Sequence, residues 1–357
     1  MKKIIIILLC IGAFILSCTK SDDSKSSSGF DRSTLTESLA TSIIDDNLST
    51  LISRAEAFNT CVESVKTNEN STSYDDLKDC WKSTAKHWQL SRFFMIKDLK
   101  YSTQEQVYAY WPINQTKIEE HLSTNTPISQ SWIQNIGSNQ KGIYTLEYLI
   151  FTYNWDDVTN NPKILDYISS IAQENVKATQ LLKSTWDTSY KSKFIESTDN
   201  FVTSSIPIIT NRIIEYAEYA KNEKLGYPLG IVKYTTIDAN KLESIYAQYS
   251  IELMIKNLDI IEHVYLGGQS ESIIGYDDYL LSFGQQGEDL DGKIKAQMST
   301  LRNQLNLVPK PAFTNLATEN SAYLQLYEEW KELIKLFKTE FISLMEVTPT
   351  FSDGDGD

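Results

Sequence analysis

Apolar side chains recur every three or four residues along most of this chain, and that spacing restricts the fold more than any other feature. The clearest series lies near the C-terminus and comprises Leu326, Trp330, Leu333, Phe337, Phe341 and Leu344. Because an α-helix turns once in about 3.6 residues, such a series forms one apolar stripe that a folded chain buries. The 357 residues include only 8 prolines and 14 glycines, which is few for a β-sandwich with many turns. The pattern therefore predicts an all-α fold built from long helices.

The helical pattern divides into two sets of equal number. Helices are predicted over residues 32–66, 74–98, 142–153, 160–187, 191–223, 238–266, 288–306 and 319–346. A break near Ser189 separates the first four from the last four. Four amphipathic helices can enclose a bundle core of their own. We therefore predict two tandem four-helix bundles, over residues 32–189 and 190–348, followed by an acidic tail over 349–357.

The first residues have the composition of an export signal. Lys2 and Lys3 precede an apolar run over residues 4–16, and the small residue Ser17 stands before Cys18. A positive start, an apolar stretch and a small residue before the cleavage point describe a secretory signal. The apolar run is shorter than the roughly 20 residues that a helix needs to cross a bilayer. The sequence therefore predicts export and cleavage before Cys18.

The residues that precede Cys18 resemble the lipobox of bacterial lipoproteins, in which the cysteine thiol accepts a lipid. The resemblance implies a signal peptide over 1–17, lipidation of Cys18 and a membrane as a partner, because acyl chains partition into the bilayer. Residues 18–31 are rich in serine and in charged side chains, so we expect a flexible tether. The alternative is an ordinary secretory signal in which Cys18 is incidental.

Charge restricts both the location and the partners of the chain. The acidic pair Asp22 and Asp23 resembles the surface-export signal of Bacteroidetes lipoproteins, which implies the cell-surface face of an outer membrane. The alternative is the periplasmic face. The formal net charge is −14 and becomes −16 when Lys2 and Lys3 leave with the signal. Because a surface of that sign repels phosphate backbones, we expect no nucleic acid partner.

Two cysteines remain after Cys10 leaves with the signal and Cys18 accepts its lipid. Cys61 and Cys80 flank a polar stretch over residues 67–73 at nearly equal distances. If two helices meet at that stretch as an antiparallel hairpin, the two thiols lie at the same height. In an oxidising compartment this arrangement predicts a disulfide. The alternative is two separate buried thiols.

Short catalytic motifs are missing from the sequence. It contains no HExxH, no GxSxG, no P-loop and no CxxC. The histidines are His87, His121 and His263, which lie far apart along the chain. A lone helical histidine is usually a surface or packed polar residue, so we assign no catalytic role to any of the three.

One segment places a carboxylate inside an otherwise apolar run. Residues 142–151 read GIYTLEYLIF, so Gly142 begins a short helix and Glu147 lies within it. An isolated buried carboxylate is very costly, so Glu147 must face polar surroundings or have a partner. Tyr144 lies three residues earlier on the same helical face and can donate a hydrogen bond to it. The pair either satisfies itself at a helix contact or lines a site.

This segment resembles the Gly-x-His-x-x-Glu signature of the imelysin family of insulin-cleaving-peptidase-like and iron-regulated proteins. Gly142 and Glu147 match the signature, whereas Tyr144 fills the histidine position. Other stretches resemble the family in the same order along the chain, namely residues 80–93, 111–118, 243–250, 257–258, 275–280 and the acidic ending 351–357. The resemblance implies two helical domains, each a modified four-helix bundle, with the signature near their interface.

The resemblance also implies a metal site. A neutral imidazole and a carboxylate three residues apart can share a cation, which is how the signature is interpreted. A protonated phenol binds Zn²⁺ poorly, whereas tyrosinate is a ferric ligand in proteins. Tyr144 and Glu147 are therefore candidate iron ligands in this chain. The alternatives are a pocket kept for its shape and a pocket that has lost its metal.

The tail over 349–357 gives a second metal candidate. Asp353, Asp355 and Asp357 match the first three ligand positions of a calcium loop. The later glycine and the distal glutamate of such a loop are missing. The alternative is a flexible acidic tail.

These observations leave two functions from different classes. The first is a non-catalytic binding or accessory lipoprotein that captures an iron species or another ligand and works with outer-membrane uptake machinery. The second is a metal-dependent peptidase of the imelysin type, which needs a metal, an activated water and a general base. Because Tyr144 replaces a metal ligand of the signature, we favour the binding function.

Overall fold

The computed structural model describes residues 29–268 and 273–350 of the chain. Over those two ranges the backbone forms α-helices, short 3-10 and π segments and turns, with no β-strand. The all-α fold expected from the apolar spacing is confirmed. The predictions for the signal over 1–17, for Cys18 and for the tail aspartates Asp353, Asp355 and Asp357 lie outside the described residues.

Nine helices carry most of the described structure. They are α1 (Asp45–Asn68), α2 (Ser71–Arg92), α3 (Gln115–Ser123), α4 (Ile143–Thr152), α5 (Lys163–Thr185), α6 (Ser205–Lys221), α7 (Ser250–Leu266), α8 (Gln285–Leu307) and α9 (Asn320–Lys335). Four π segments extend the helices at Leu39–Ile44, Trp186–Tyr190, Asn222–Gly226 and Leu336–Phe341. Shorter α-helices lie at Arg32–Ser38, Lys97–Tyr101, Gln104–Ala109, Gln130–Asn135, Trp155–Asn160, Lys191–Glu196, Tyr227–Leu229, Tyr276–Leu281, Ala312–Asn315 and Ile342–Leu344.

The helices pack in two sets that meet along α2 and α7. In the first set, α1 packs against α2 and α5, and α4 lies against the same two helices. In the second set, α6 and α8 each pack against both α7 and α9. Helix α7 also packs against α2, so one hydrophobic core continues through both sets. The six residues of the C-terminal apolar stripe, from Leu326 to Leu344, are all buried in that core.

The segment before α7 differs from its sequence prediction. A helix was expected over 238–266, but α7 begins only at Ser250. The preceding residues form a short 3-10 helix at Ala239–Lys241 and then a series of turns in which Ser244 and Gln248 have φ of 59° and 53°. A left-handed backbone at these positions is incompatible with a helix. Tertiary contacts that use the backbone of this segment, described below, explain the difference.

The helical course also continues past the break expected near Ser189. Ser189 is inside the π segment Trp186–Tyr190, and the helical course continues to Glu196. Residues 197–204 then form the turns that precede α6. The predicted helix over 191–223 is therefore two helices, and the domain limits at 189 and 190 stay predictions.

Cys61 on α1 and Cys80 on α2 are joined by a disulfide, with their Cα atoms 6.7 Å apart. The two helices form an antiparallel hairpin that turns at Glu69 and Asn70, so the cysteines lie side by side. The disulfide therefore closes the hairpin one or more turns from its tip.

No helix within 29–268 or 273–350 combines the length and the hydropathy needed to span a bilayer.

Candidate functional site

Helix α4 carries the signature-like segment and is buried on every side. All residues from Ile143 to Ile150 are buried. The Trp81 indole donates to the backbone oxygen of Ile143 at 2.8 Å and so fixes the first turn of α4 against α2. Gly142 precedes this turn with φ of 84°, and a Cβ there would come within 2.5 Å of the Tyr108 oxygen. Glycine at this position is thus required by backbone conformation and by close packing.

Tyr144 and Glu147 have separate partners, although they lie on one face of α4. The Tyr144 hydroxyl donates to Oε1 of Glu243, which comes from the turns before α7. Oε1 of Glu147 accepts the backbone N–H groups of Tyr246 and Ala247 at 3.0 and 2.9 Å. The expectation that the phenol donates to Glu147 was therefore wrong. The two carboxylates of the site are held by different donors, one from a side chain and the other from the backbone.

Lys224 provides the positive charge of the site. It lies in the π segment Asn222–Gly226, and its side chain is only 2% exposed. Its Nζ lies 2.7 Å from Oε2 of Glu243, whose side chain is 1% exposed. The same Nζ donates to Oε1 of Gln89 at 2.8 Å and to Oδ1 of Asn257 at 2.7 Å. The ammonium is therefore surrounded by three oxygen atoms, of which two accept its hydrogen bonds and the third forms the ion pair.

The remaining polar atoms near Lys224 are also satisfied. Gln89 on α2 donates to Oε1 of Glu243 at 3.1 Å. Asn257 on α7 donates to the Tyr216 hydroxyl at 2.7 Å, and that hydroxyl donates to the Gln89 backbone oxygen. We call this set the interface network; its members are Gln89, Tyr144, Tyr216, Lys224, Glu243 and Asn257. It joins α2 and α4 of the first set to α6, α7 and the π segment of the second.

The charges of the network follow from these contacts. Burial raises the pKa of Tyr144, and the Glu243 charge raises it further, so the phenol keeps its proton. Burial alone would raise the pKa of Glu243, but the Lys224 ammonium, the hydrogen bond from Tyr144 and the Arg92 charge together outweigh burial and hold that pKa below its ordinary value. Burial lowers the pKa of Lys224, against the effect of Glu243. At neutral pH the network therefore contains one anion, one cation and the two neutral phenols of Tyr144 and Tyr216.

Glu147 is in a different electrostatic position. Burial raises its pKa to about 8, and the hydrogen bond from the Ala247 amide acts in the opposite direction. The charge of Glu243 also raises this pKa, because two carboxylates on one interface repel each other. The Glu147 carboxyl is therefore mostly protonated below pH 8, while its backbone contacts hold the turns before α7 against α4.

A cavity of about 240 Å³ lies beside these two residues. Tyr144 and Glu147 line it from α4, and the opposite wall comes from the turns before α7. We call it the interface cavity; its other lining residues are Trp111, Pro112, Ile113, Gln115, Asn240, Leu242, Ser244, Ile245 and Tyr246. The Tyr246 ring packs edge-on against the Tyr148 ring at 4.9 Å. The hypothesis that Tyr144 and Glu147 border one pocket thus agrees with the structure.

A second carboxylate beside the cavity is bound by tyrosines. The hydroxyls of Tyr148 and Tyr153 both donate to Oε1 of Glu119 on α3. Gln115, which lines the interface cavity, donates to the Tyr148 hydroxyl at 3.2 Å. This cluster fixes α3 against the end of α4 and so supports one wall of the cavity.

The histidines stand apart from this site. His121 contacts Oε1 of Gln140 at 2.7 Å and packs edge-on against Trp132. His87 contacts the Asn47 backbone oxygen at 2.9 Å, and burial lowers its pKa. His263 borders a different cavity. None of the three lines the interface cavity, which agrees with a packed or surface polar role.

The residues at the signature do not form a metal ligand set. The Tyr144 phenol keeps its proton and donates it to Glu243, whereas a ferric ion takes tyrosine as the phenolate. Glu147 is bonded to two backbone amides instead of facing Tyr144 across a shared cation. Across the described ranges, no group of three or more His, Cys, Asp or Glu side chains converges to hold a metal. The Lys224 ammonium supplies the cation that pairs with Glu243.

Most members of the network carry no direct signal in the sequence. Gln89, Lys224 and Asn257 lie on polar faces of predicted helices or in a connector, where such residues are normally solvated. The stretch that begins at Glu243 resembled the family, but its carboxylate had no assigned role. One signal was available. A buried Glu147 needs a hydrogen-bond donor, which predicts a polar element packed against α4.

Glu147→Gln tests the electrostatic state of the buried carboxyl. A carboxyl with a raised pKa contributes stability that is fully present below its ordinary value of 4.5 and is lost as the pH rises through 8. The glutamine cannot ionise, so its stability advantage over wild type should grow between pH 5 and pH 9, by on the order of 4 kcal/mol. Urea unfolding at both pH values measures this gap. The exposed Glu328→Gln is the control; an equal Glu147→Gln gap at both pH values would contradict the prediction.

A double-mutant cycle tests the buried pair. Lys224→Met or Glu243→Gln should each lower the free energy of unfolding by about 3–5 kcal/mol, because each leaves one buried charge unpaired. The double variant should lose much less than the sum, since no charge remains. The exposed pair Lys293 and Glu340, 2.6 Å apart, is the matched control and should couple by less than about 1 kcal/mol. Additive losses at the buried pair would show that the two charges act independently.

Comparison with known proteins agrees with this architecture. The family model described as Imelysin matches residues 46–336. A solved structure described as an iron-regulated protein A precursor, from Parabacteroides distasonis ATCC 8503, superposes with a TM-score of 0.72 and 15% identity, covering 87% of this chain and 95% of the other. An imelysin-like protein from Psychrobacter arcticum 273-4 gives a TM-score of 0.75 and 13% identity, covering 92% of this chain and 99% of the other. No curated protein matches the chain in sequence.

The structural likeness shows the fold, and the family match covers most of the chain with the signature-like segment inside it. Gly142 and Glu147 keep their signature positions and have the structural roles described above. The departure at Tyr144 is accommodated by Glu243. The chain belongs to the imelysin family.

Proposed function

We propose that this protein is a membrane-anchored, non-catalytic component that binds a small iron-containing ligand for uptake. The arrangement around Tyr144 carries the proposal. Its phenol is committed to Glu243, and the Glu243 charge is already neutralised by Lys224. These contacts favour binding beside the network over metal-dependent hydrolysis within it.

Hydrolysis would need a metal-bound water and a base that reaches it. Glu147 is the carboxylate that the signature offers for either role, yet it is 2% exposed and bonded to two backbone amides. With its pKa raised to about 8 by burial, it is also largely protonated at neutral pH. These properties suit a residue that holds two helical sets together more than a catalytic base.

The interface cavity is the proposed ligand site. Ligand pockets commonly lie between domains and combine apolar walls with a few directed polar groups. Here Trp111 and Tyr246 provide aromatic walls, and Gln115 and Asn240 provide amide groups. A volume of about 240 Å³ suits a ligand no larger than one aromatic ring with its substituents. A small ferric chelate with ring or amide groups would have partners on both walls.

Iron enters the proposal as cargo. The structural neighbour from Parabacteroides distasonis is described as an iron-regulated protein A precursor, and this chain shares its fold. An acidic protein with net charge −14 attracts cationic species to its surface. A lipid on Cys18 would hold the helical body where it meets external ligands and the uptake machinery of an outer membrane.

Titration calorimetry with small ferric chelates tests the binding function. Ferric acetohydroxamate and ferric dihydroxybenzoate, each prepared with one chelator per iron, should bind the purified mature chain, and their iron-free forms should bind more weakly. Tyr144→Phe should weaken binding about tenfold, because the hydrogen bond to Glu243 that positions this wall of the cavity is lost. The exposed Tyr101→Phe should bind as wild type does.

Two outcomes would contradict the binding proposal. One is the absence of binding by both chelates at concentrations up to about 1 mM. The other is cleavage of a broad peptide mixture that is abolished both by a chelator and by Glu147→Gln. That second result would favour a metal-dependent peptidase.

Cys18→Ser tests the anchor. Lipid-modified protein should fractionate with membranes, because acyl chains partition into the bilayer, and the serine variant should be released. Protease accessibility on intact cells then separates the cell-surface face from the periplasmic face. Membrane fractionation that persists in the Cys18→Ser variant would contradict lipid anchoring at this residue.

A further inference from the structure

A cavity of about 550 Å³ lies along α2 and shares no lining residue with the interface network. Its floor is one face of α2, and its walls come from α1 and from the start of α7. We call it the basic groove; its lining residues are Arg54, Asp79, Lys82, Ser83, Lys86, His87, Leu90, Tyr249 and Lys256. Both helical sets contribute to it, so the groove exists only when the two sets are packed together.

The charge of the groove is opposite to that of the whole protein. The net formal charge of the chain is −14. The groove wall nevertheless carries four cations, Arg54, Lys82, Lys86 and Lys256, and a single carboxylate, Asp79. Like charges around a concave surface raise its potential, because field lines are focused there. The groove is thus a local positive site on an acidic protein.

Half of these cations are not neutralised by neighbouring carboxylates. Lys82 pairs with Asp79 at 2.9 Å, and Lys256 pairs with Asp259 at 2.5 Å. Within residues 29–268 and 273–350, neither Arg54 nor Lys86 forms a salt bridge. His87 adds no charge at neutral pH, because burial lowers its pKa. Arg54 and Lys86 therefore present free positive charge to the groove.

The Tyr249 ring partly offsets the repulsion between the positive charges of the groove. The Lys86 ammonium lies 5.3 Å from the centroid of the Tyr249 ring, and the Lys82 ammonium lies 6.0 Å from it. Both distances fall within the range of cation–π attraction. The ring attracts both ammonium groups without neutralising them, so the charge of Lys86, which has no salt bridge within the described ranges, stays available to a ligand.

The spacing of the lysines restricts what can bind. Lys82 and Lys86 are four residues apart on α2, so their positions differ by one helical turn of about 6 Å. Arg54 approaches from α1 and Lys256 from α7. The cations therefore surround a short concave path instead of forming an extended stripe. A ligand with two or three anionic groups about one helical turn apart could contact several of them at once.

We propose that the basic groove binds a small, multiply charged oxyanion whose anionic groups are carboxylates or phosphates. The negative charge of the remaining surface disfavours a long polyanion, which would extend beyond the groove. A small anion instead gains the focused potential and relieves the repulsion among the four cations. This site is separate from the interface cavity and does not depend on the function proposed there.

Titration calorimetry of the full mature chain with citrate and with pyrophosphate tests the proposal. At least one of the two anions should bind, and its affinity should fall as salt rises. Lys82→Gln/Lys86→Gln should weaken binding by about tenfold or more. The matched control is Lys331→Gln/Lys335→Gln, which removes two lysines with the same spacing from α9. The control should bind the anion as wild type does.

Each result decides for or against the groove. Binding of citrate alone identifies carboxylates as the ligand chemistry, and binding of pyrophosphate alone identifies phosphates; both support the proposal. Absence of binding by both anions at concentrations up to about 1 mM overturns it. Equal weakening in the α9 control overturns it as well, because the effect would then arise from net charge alone.

Discussion

The contact between the two helical sets depends on a charge pair that water barely reaches. Lys224 and Glu243 belong to the second set, and Gln89 and Tyr144 of the first set complete their hydrogen bonds. Removing two ions from water costs several kcal/mol for each, so the pair is tolerable only with all of its partners. A shift of one set relative to the other would leave a charge unpaired. We infer that the pair specifies the packing of α2 and α4 on α7 more than it stabilises the fold.

This constraint also explains why tyrosine suits position 144. A phenol donates one hydrogen bond to Glu243 and stays neutral. An imidazole there would be drawn towards protonation by the same carboxylate and would compete with Lys224 for it. Tyr144 and Lys224 are thus compatible parts of one network that contains its own cation. The adjoining cavity, which Trp111 and Tyr246 line, is the place proposed for a ligand.

Helix α2 contributes residues both to the buried interface network and to the basic groove. Gln89 belongs to the interface network, and Lys82 and Lys86 line the basic groove. Helix α7 has a similar double role, because Asn257 faces the network and Lys256 faces the groove. Both sites therefore depend on the same packing of α2 against α7, although their chemistries differ.

The sequence by itself determined the helical class, most of the long helices and the position of Glu147 within a buried helix, because apolar spacing is a local property of the chain. It also indicated the hairpin that brings Cys61 and Cys80 together. Only the tertiary structure decided that the residues before Ser250 are not helical. The Glu147 carboxyl that accepts their backbone N–H groups lies about a hundred positions away in the sequence. Lys224 and Glu243 are residue types that usually lie on a solvated surface, and only the packing of the helices removes their side chains from water.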